Sequence, residues 1–171
     1  FNDKLNDASY GKVIQRQNRT RKLLERIKDI DRSALSVEDQ LNYDLFLSDV
    51  IHGIAGFEFL SYLIPISQMG GLQISVAGIS TYMPFKTIKD HENYIASMQA
   101  FPKKIDQVID RMKRGMETGW IPPKIVLDAV PEQIKTQFDD PVEASPLFKP
   151  FIDLDQSIPA DEQTRLINGL K

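Results

Sequence analysis

Apolar residues recur at intervals of three and four along most of this chain, which is the period of an amphipathic α-helix. The pattern predicts an all-α fold of about six helices in antiparallel hairpins. The first helix and its end occupy residues 10–32, a short connection follows from Asp31 to Ser36, and the second helix runs from about Val37 to Leu60. The packing stripe of the second helix is expected to comprise Tyr43, Phe46, Val50, Ile54 and Phe57, widened by Leu47 and Ile51.

Charge favours the pairing of these two helices. Residues 10–32 carry eight Lys and Arg against three Asp and Glu, whereas the second helix has acidic residues only. Joined by a short connection, the two helices should form an antiparallel hairpin. This pairing also favours a solvated helix face over a polyanion-binding patch for the basic residues.

Four further helices are predicted downstream. They cover residues 88–100, the stretch from Pro102 to Gly119, the stretch from Pro123 to Phe138, and the stretch from about Ala160 to the end. Pro131 should kink or split the third of these near residues 127–130, because proline cannot donate the helical hydrogen bond. Residues 139–158 lack a period but keep their apolar side chains, so we predict an ordered, docked loop.

The stretch from Tyr62 to Phe85 is apolar but fits neither a helix nor a strand. Prolines and glycines interrupt every regular pattern in it, at Pro65, Gly70, Gly71, Gly78 and Pro84. Its free backbone groups need partners, so the whole of 62–85 should dock against the helices.

Composition narrows the function classes. A net charge of −3 argues against a general nucleic-acid binder, and the absence of cysteine excludes disulfides, thiolate zinc sites and cysteine nucleophiles. No apolar run approaches the ~20 residues of a membrane span, so no transmembrane segment is predicted. A length of 171 residues suits one domain or part of a larger one.

The two histidines offer no catalytic site. His91-Glu92 begins a His-Glu-x-x-His zinc motif, but the fifth position is Ile95 and the motif fails. His91 lies on the apolar stripe of its helix, and His52 has no ligand partner at suitable spacing, so both are interpreted as structural. We therefore predict no catalytic residue, no metal site and no cofactor in this chain.

One loop is a candidate for ligand contact. In Gln68-Met69-Gly70-Gly71, a glycine pair allows close backbone approach, Gln68 supplies an amide, and Met69 supplies an adaptable apolar surface. These four residues could line a ligand groove. The alternative is a tight turn packed under the helices.

Several short segments follow one another in a specific order. They are Asp31–Phe46, Pro65-Ile-Ser-Gln-Met-Gly-Gly71, Met83-Pro-Phe-Lys-Thr, Glu92-Asn-Tyr-Ile, Gly115-Met-Glu-Thr-Gly-Trp-Ile-Pro-Pro and Ser145-Pro-Leu-Phe-Lys-Pro-Phe. The series resembles the N-terminal part of a bacterial family catalogued as domain of unknown function 885, over about residues 10–170. The resemblance implies a longer helical parent protein, exported, periplasmic or a lipoprotein, with a zincin-like metallopeptidase site and zinc in its C-terminal half.

The resemblance also implies that residues 1–171 are a single helical domain or an N-terminal fragment that lacks the catalytic half. Our leading hypothesis is that this region forms one wall of the channel for a peptide substrate, is inactive alone and has the C-terminal half as its partner. The alternative is a non-catalytic module that binds a protein or peptide. With its partner missing, the chain should expose an apolar patch larger than the ~300–600 Å² of a typical monomer, through which it can form a homodimer.

Overall fold

The structure is a computed structural model that describes residues 3–137 and 141–170, and helices dominate it. The helices are α1 (Tyr10–Lys28), α2 (Val37–Gly56), α3 (Leu72–Ser75), α4 (Ile88–Gln99), α5 (Phe101–Thr118), α6 (Val130–Lys135) and α7 (Ala160–Leu170). α3 is a single turn, which leaves six longer helices, and no strand occurs in the described ranges. The predicted all-α fold of about six helices is confirmed.

Local side-chain chemistry sets several helix ends. The Ser36 side chain accepts a hydrogen bond from the Asp39 N–H at the start of α2. Thr87 and Asp90 form a reciprocal capping box at the start of α4, and the Thr87 hydroxyl holds the pKa of Asp90 below its usual value. Gly119 ends α5 in the left-handed conformation at φ 73°.

The first predicted connection is present, and the second helix is shorter than expected. α1 ends at Lys28, and the Asp31 carboxylate accepts from the backbone and hydroxyl of Ser33 at the start of a separate 3-10 turn. α2 ends at Gly56 rather than near Leu60. A 3-10 turn follows, and Leu60 then takes a positive φ of 48°, which turns the chain out of the helix direction.

α1 and α2 form the predicted antiparallel hairpin. The Gln17 side chain donates to the Ile54 carbonyl oxygen across the pair at 3.4 Å, and Val50 is buried between the helices. The guanidinium of Arg32 closes the hairpin with two bonds to the Asp44 carboxylate, at 2.7 and 2.6 Å. Two predicted packing residues are wrong, because Phe46 is 50% exposed and Ile51 is 44% exposed, whereas Leu47 is partly buried.

The main aromatic core lies between α4, α7 and the segment that precedes α7. Tyr94 and Leu166 are completely buried there, together with Phe148 and Phe151. The Tyr94 hydroxyl donates to the Leu147 carbonyl oxygen at 2.9 Å. The described part of residues 139–158 is therefore the ordered, docked segment that its apolar content predicts.

α5 joins the hairpin to the rest of the molecule. Arg111 donates from Nε to the Tyr62 carbonyl oxygen at 2.8 Å and from Nη1 to the Ala8 carbonyl oxygen at 3.3 Å. Burial is the main cause that lowers the pKa of Arg111, and the charge of Arg16 adds to it. One arginine thus fixes the chain before α1 and the start of the 62–85 stretch.

The predicted split before Pro131 is confirmed. A 3-10 turn at Lys124–Val126 ends before α6 begins at Val130, with Pro131 in the first turn of α6. The predicted continuation towards Phe138 is wrong, because α6 ends at Lys135 and residues 136–137 form a turn. Phe138 itself lies outside the described residues.

Candidate interaction surface

The predicted ligand loop contains a tight, pinned turn. Ser67 and Gly70 exchange two backbone hydrogen bonds, at 2.8 and 3.2 Å. Gln68 at its corner donates its N–H to the Val126 carbonyl oxygen at 2.8 Å and accepts from the Gln133 side chain at 2.9 Å. Two hydrogen bonds with the segment around α6 therefore hold the backbone of the turn at Gln68.

Two features require glycine at position 71: its backbone conformation and the Gln73 side chain that lies against it. Its φ is 139°, which side-chain-bearing residues rarely adopt, and an added Cβ would meet the Gln73 side-chain oxygen. Gln73 is buried beneath the turn and donates Nε2 to the Ser67 carbonyl oxygen at 2.8 Å and to Gln133 Oε1 at 3.2 Å. Its own Oε1 has no hydrogen-bond partner in the part of the chain that the structure describes.

The turn presents two side chains to solvent. Met69 is 88% exposed and Gln68 is exposed beside it, whereas Gly70 and Gly71 are half-buried. Ile125, next to the residue that bonds Gln68, is also exposed. The backbone conformation explains Gly71, whereas an added Cβ at Gly70 would meet nothing within 4 Å. A ligand-groove role for the four residues stays a prediction.

Neither histidine has a group of metal-ligating side chains around it in the described ranges. His91 is buried, with Nδ1 3.0 Å from the Thr87 carbonyl oxygen and Nε2 3.3 Å from that of Pro150. It is a hydrogen-bonded core residue, as predicted. His52 is exposed on α2, with Nδ1 3.2 Å from the Ser48 hydroxyl. Across residues 3–137 and 141–170, no group of three or more His, Asp or Glu side chains is placed to hold a metal ion.

The largest unexpected feature is the side of α2 turned away from α1. A line of side chains at intervals of four and three residues is exposed along it, and we call this line the outer face of α2. It comprises Val37, Leu41, Leu45, Ser48, His52, Ala55 and, in the following 3-10 turn, Phe59. Val37 is 87% exposed, Leu41 and Leu45 are each 59% exposed, and Phe59 is 66% exposed.

Sequence reasoning missed this face because it assigned only one apolar stripe to α2. The signal was present: α2 carries apolar residues on more than one side, with Leu41 and Leu45 away from Val50. Apolar residues on more than one side are typical of a helix with several neighbours. In the described chain, α1 covers one side of α2 and leaves the outer face open.

Acidic side chains accompany the outer face. No Lys or Arg occurs between Val37 and Phe59, and Glu38 and Asp49 lie one residue from members of the line. Asp44 is already engaged by Arg32, whose hydrogen bonds lower the pKa of Asp44. Glu38 and Asp49 make no ion pair with any residue in the described ranges.

Among the described helices, none combines the length and the apolar character needed to cross a membrane. A comparison with known protein families matches residues 1–170 to a family described as bacterial proteins of unknown function, DUF885. The corresponding comparisons find no match among curated proteins or solved structures.

Proposed function

Because this chain belongs to the bacterial family of unknown function DUF885, we propose that it is a non-catalytic helical region that packs against a further layer of a larger protein. The outer face of α2 carries this proposal, since it exposes Val37, Leu41 and Leu45 together on one side of a helix. Burying such side chains against a partner is favourable by roughly 25 cal/mol per Å² of apolar surface.

The finer form of the proposal concerns the partner. We propose that it is a zincin-like C-terminal half of the same protein, and that the present region forms one wall of its peptide channel. Zinc would be held by residues outside this chain, which would be inactive alone. The rigid turn supports a wall function for Met69 and Gln68, because a pinned backbone presents side chains at little cost in conformational entropy.

The coding sequence downstream of Lys171 tests the finer form. We expect a His-Glu pair and later His or Glu ligands there, zinc in the full-length protein, and hydrolysis of peptides. A downstream sequence without such ligands would eliminate the metallopeptidase, and stoichiometric zinc on purified residues 1–171 would contradict the assignment of the metal to the other half.

A matched pair of stability measurements tests the packing itself. The double variant Leu41→Ser/Leu45→Ser should lower the stability of residues 1–171 by about 1 kcal/mol or less, because both side chains are 59% exposed and serine is only a slightly weaker helix former than leucine. In the longer protein the same change should lower the unfolding temperature. Ile152→Ser, at an exposed apolar residue elsewhere, is the control. Equal effects of the double variant in both proteins would refute the proposal.

The second candidate is a helical module that binds a separate protein or peptide. The outer face of α2 favours it as well, because an exposed apolar helix face can accept an amphipathic helix from another chain. The downstream sequence separates the two candidates. A module of this kind has no need of zinc ligands, and its binding would be lost in Leu41→Ser/Leu45→Ser.

A further inference from the structure

The outer face of α2 has the spacing of a helix-packing seam. From Leu41 its members follow at intervals of four, three, four, three and four residues, through Leu45 and His52 to Phe59. This 3.5-residue repeat is the pattern by which one α-helix packs along another. A helix therefore fits the face better than an extended strand or a single inserted side chain.

The middle of the seam is polar. The Ser48 hydroxyl lies 3.2 Å from His52 Nδ1, between the apolar pair of Leu41 and Leu45 at one end and Phe59 at the other. An added Cβ at Gly53 or Gly56 would meet nothing within 4 Å, so this part of α2 is open to close approach. Polar side chains within an apolar seam favour one register of the partner helix, at some cost in stability.

The charges beside the seam have one sign. Glu38 and Asp49 each lie one residue from a member of the outer face, and no basic side chain lies between Val37 and Phe59. Charged side chains beside a helix-packing seam can form ion pairs with the partner helix. Opposite charge at the matching positions of a partner would be attractive, and like charge would be repulsive.

We propose that the occupant of the outer face is an amphipathic α-helix whose apolar seam is flanked by Lys or Arg. The inference rests on the proposed function, namely that a partner covers this face. It adds that the partner is a helix and that its flanking charges are basic. An isologous pairing of two copies through α2 is disfavoured, because Glu38 and Asp49 of each copy would meet acidic residues of the other. The exposed residues of α1 are mainly polar and charged, so α1 of a second copy has no apolar seam to offer.

Two synthetic helices test this chemistry. Both carry the same leucine seam with one central Asn, and their flanking positions are all Lys in one and all Glu in the other. We expect the Lys helix to bind purified residues 1–171 at least tenfold more tightly at low salt by fluorescence anisotropy. The difference should shrink as salt is raised, because exposed charges are screened.

Charge-reversed variants provide the matched comparison. Glu38→Lys/Asp49→Lys should reverse the preference between the two helices. Asp106→Lys/Asp128→Lys changes the net charge by the same amount at exposed positions outside α2 and should keep the wild-type preference. Circular dichroism of each variant checks that the helical content is retained.

Three results would overturn the inference. Equal affinity for the two helices, or a preference that Glu38→Lys/Asp49→Lys leaves intact, would refute the charge requirement. If Leu41→Ser/Leu45→Ser nevertheless abolished binding of both helices, the proposed function would stand and the charge requirement alone would be refuted. Absence of binding by both helices would refute a helical occupant. A dimer in analytical ultracentrifugation that Leu41→Ser/Leu45→Ser dissociates would identify a second copy as the occupant.

Discussion

Gly115 near the end of α5 provides a sharp test of the packing. An added Cβ would lie 2.7 Å from the Trp120 carbonyl oxygen and 3.1 Å from that of Leu63. Both are backbone atoms, and Trp120 cannot withdraw freely because its N–H donates to the Gly115 carbonyl oxygen at 2.8 Å. The clash therefore has to be relieved by moving the end of α5 or the 61–63 turn.

Two opposing effects decide whether Gly115→Ala raises or lowers the free energy of unfolding. Alanine in a helix is favoured over glycine by roughly 0.5–1 kcal/mol. Overpacking of a tight contact costs about 1–3 kcal/mol, and weakening the terminal hydrogen bond costs about 0.5–1.5 kcal/mol more. We therefore expect Gly115→Ala to lower the free energy of unfolding by about 0.5–4 kcal/mol.

Urea unfolding followed by circular dichroism measures this change, and the fluorescence of Trp120, the only tryptophan, reports on the contact itself. Gly53→Ala is the matched control, because a Cβ there meets nothing within 4 Å, and it should stabilise the chain by roughly 0.5–1 kcal/mol. A Gly115→Ala variant as stable as the wild type would refute the close packing of α5 on the 61–63 turn.

The remaining predictions concern the aromatic core. Leu166→Ala should cost about 2–5 kcal/mol of stability in thermal or urea unfolding, because Leu166 is completely buried; a cost below ~1 kcal/mol would contradict its place in the core. Tyr94→Phe should cost about 1–3 kcal/mol, because it leaves the Leu147 carbonyl oxygen without its donor; an unchanged urea midpoint would argue against that bond. Burial raises the pKa of Tyr94 to about 12 from an ordinary value of 10.0, so its contribution to stability is complete below pH 10 and is lost as the pH rises towards about 12. Unfolding at increasing pH should show this loss, and Tyr94→Phe should remove that component.

The features that the sequence predicts well depend on local chemistry. Ser36, Thr87 and Gly119 act within one helical turn of their own positions, so their roles follow from the neighbouring residues alone. The split before Pro131 follows in the same way from the missing proline N–H. The docked segment before α7 was predictable because its apolar content requires burial.

The candidate surface was less predictable because it depends on distant parts of the chain. The glycine pair indicates a turn, but the hydrogen bond that the Gln68 carbonyl oxygen accepts comes from Gln133, 65 residues away. For α2, the pattern cannot say which of two apolar sides α1 will cover. The assignment of Phe46 to the packed stripe failed for this reason, and Leu41 and Leu45 went unnoticed.

The acidic residues along α2 also affect the tendency of the chain to aggregate through its exposed outer face. Newly made protein with Leu41, Leu45 and Phe59 in water is prone to aggregate through these side chains. Glu38 and Asp49 interrupt that surface with like charge on every copy, so molecules that meet through α2 repel one another. The same charges that would select a basic helix thus act as gatekeepers against self-association through the outer face of α2.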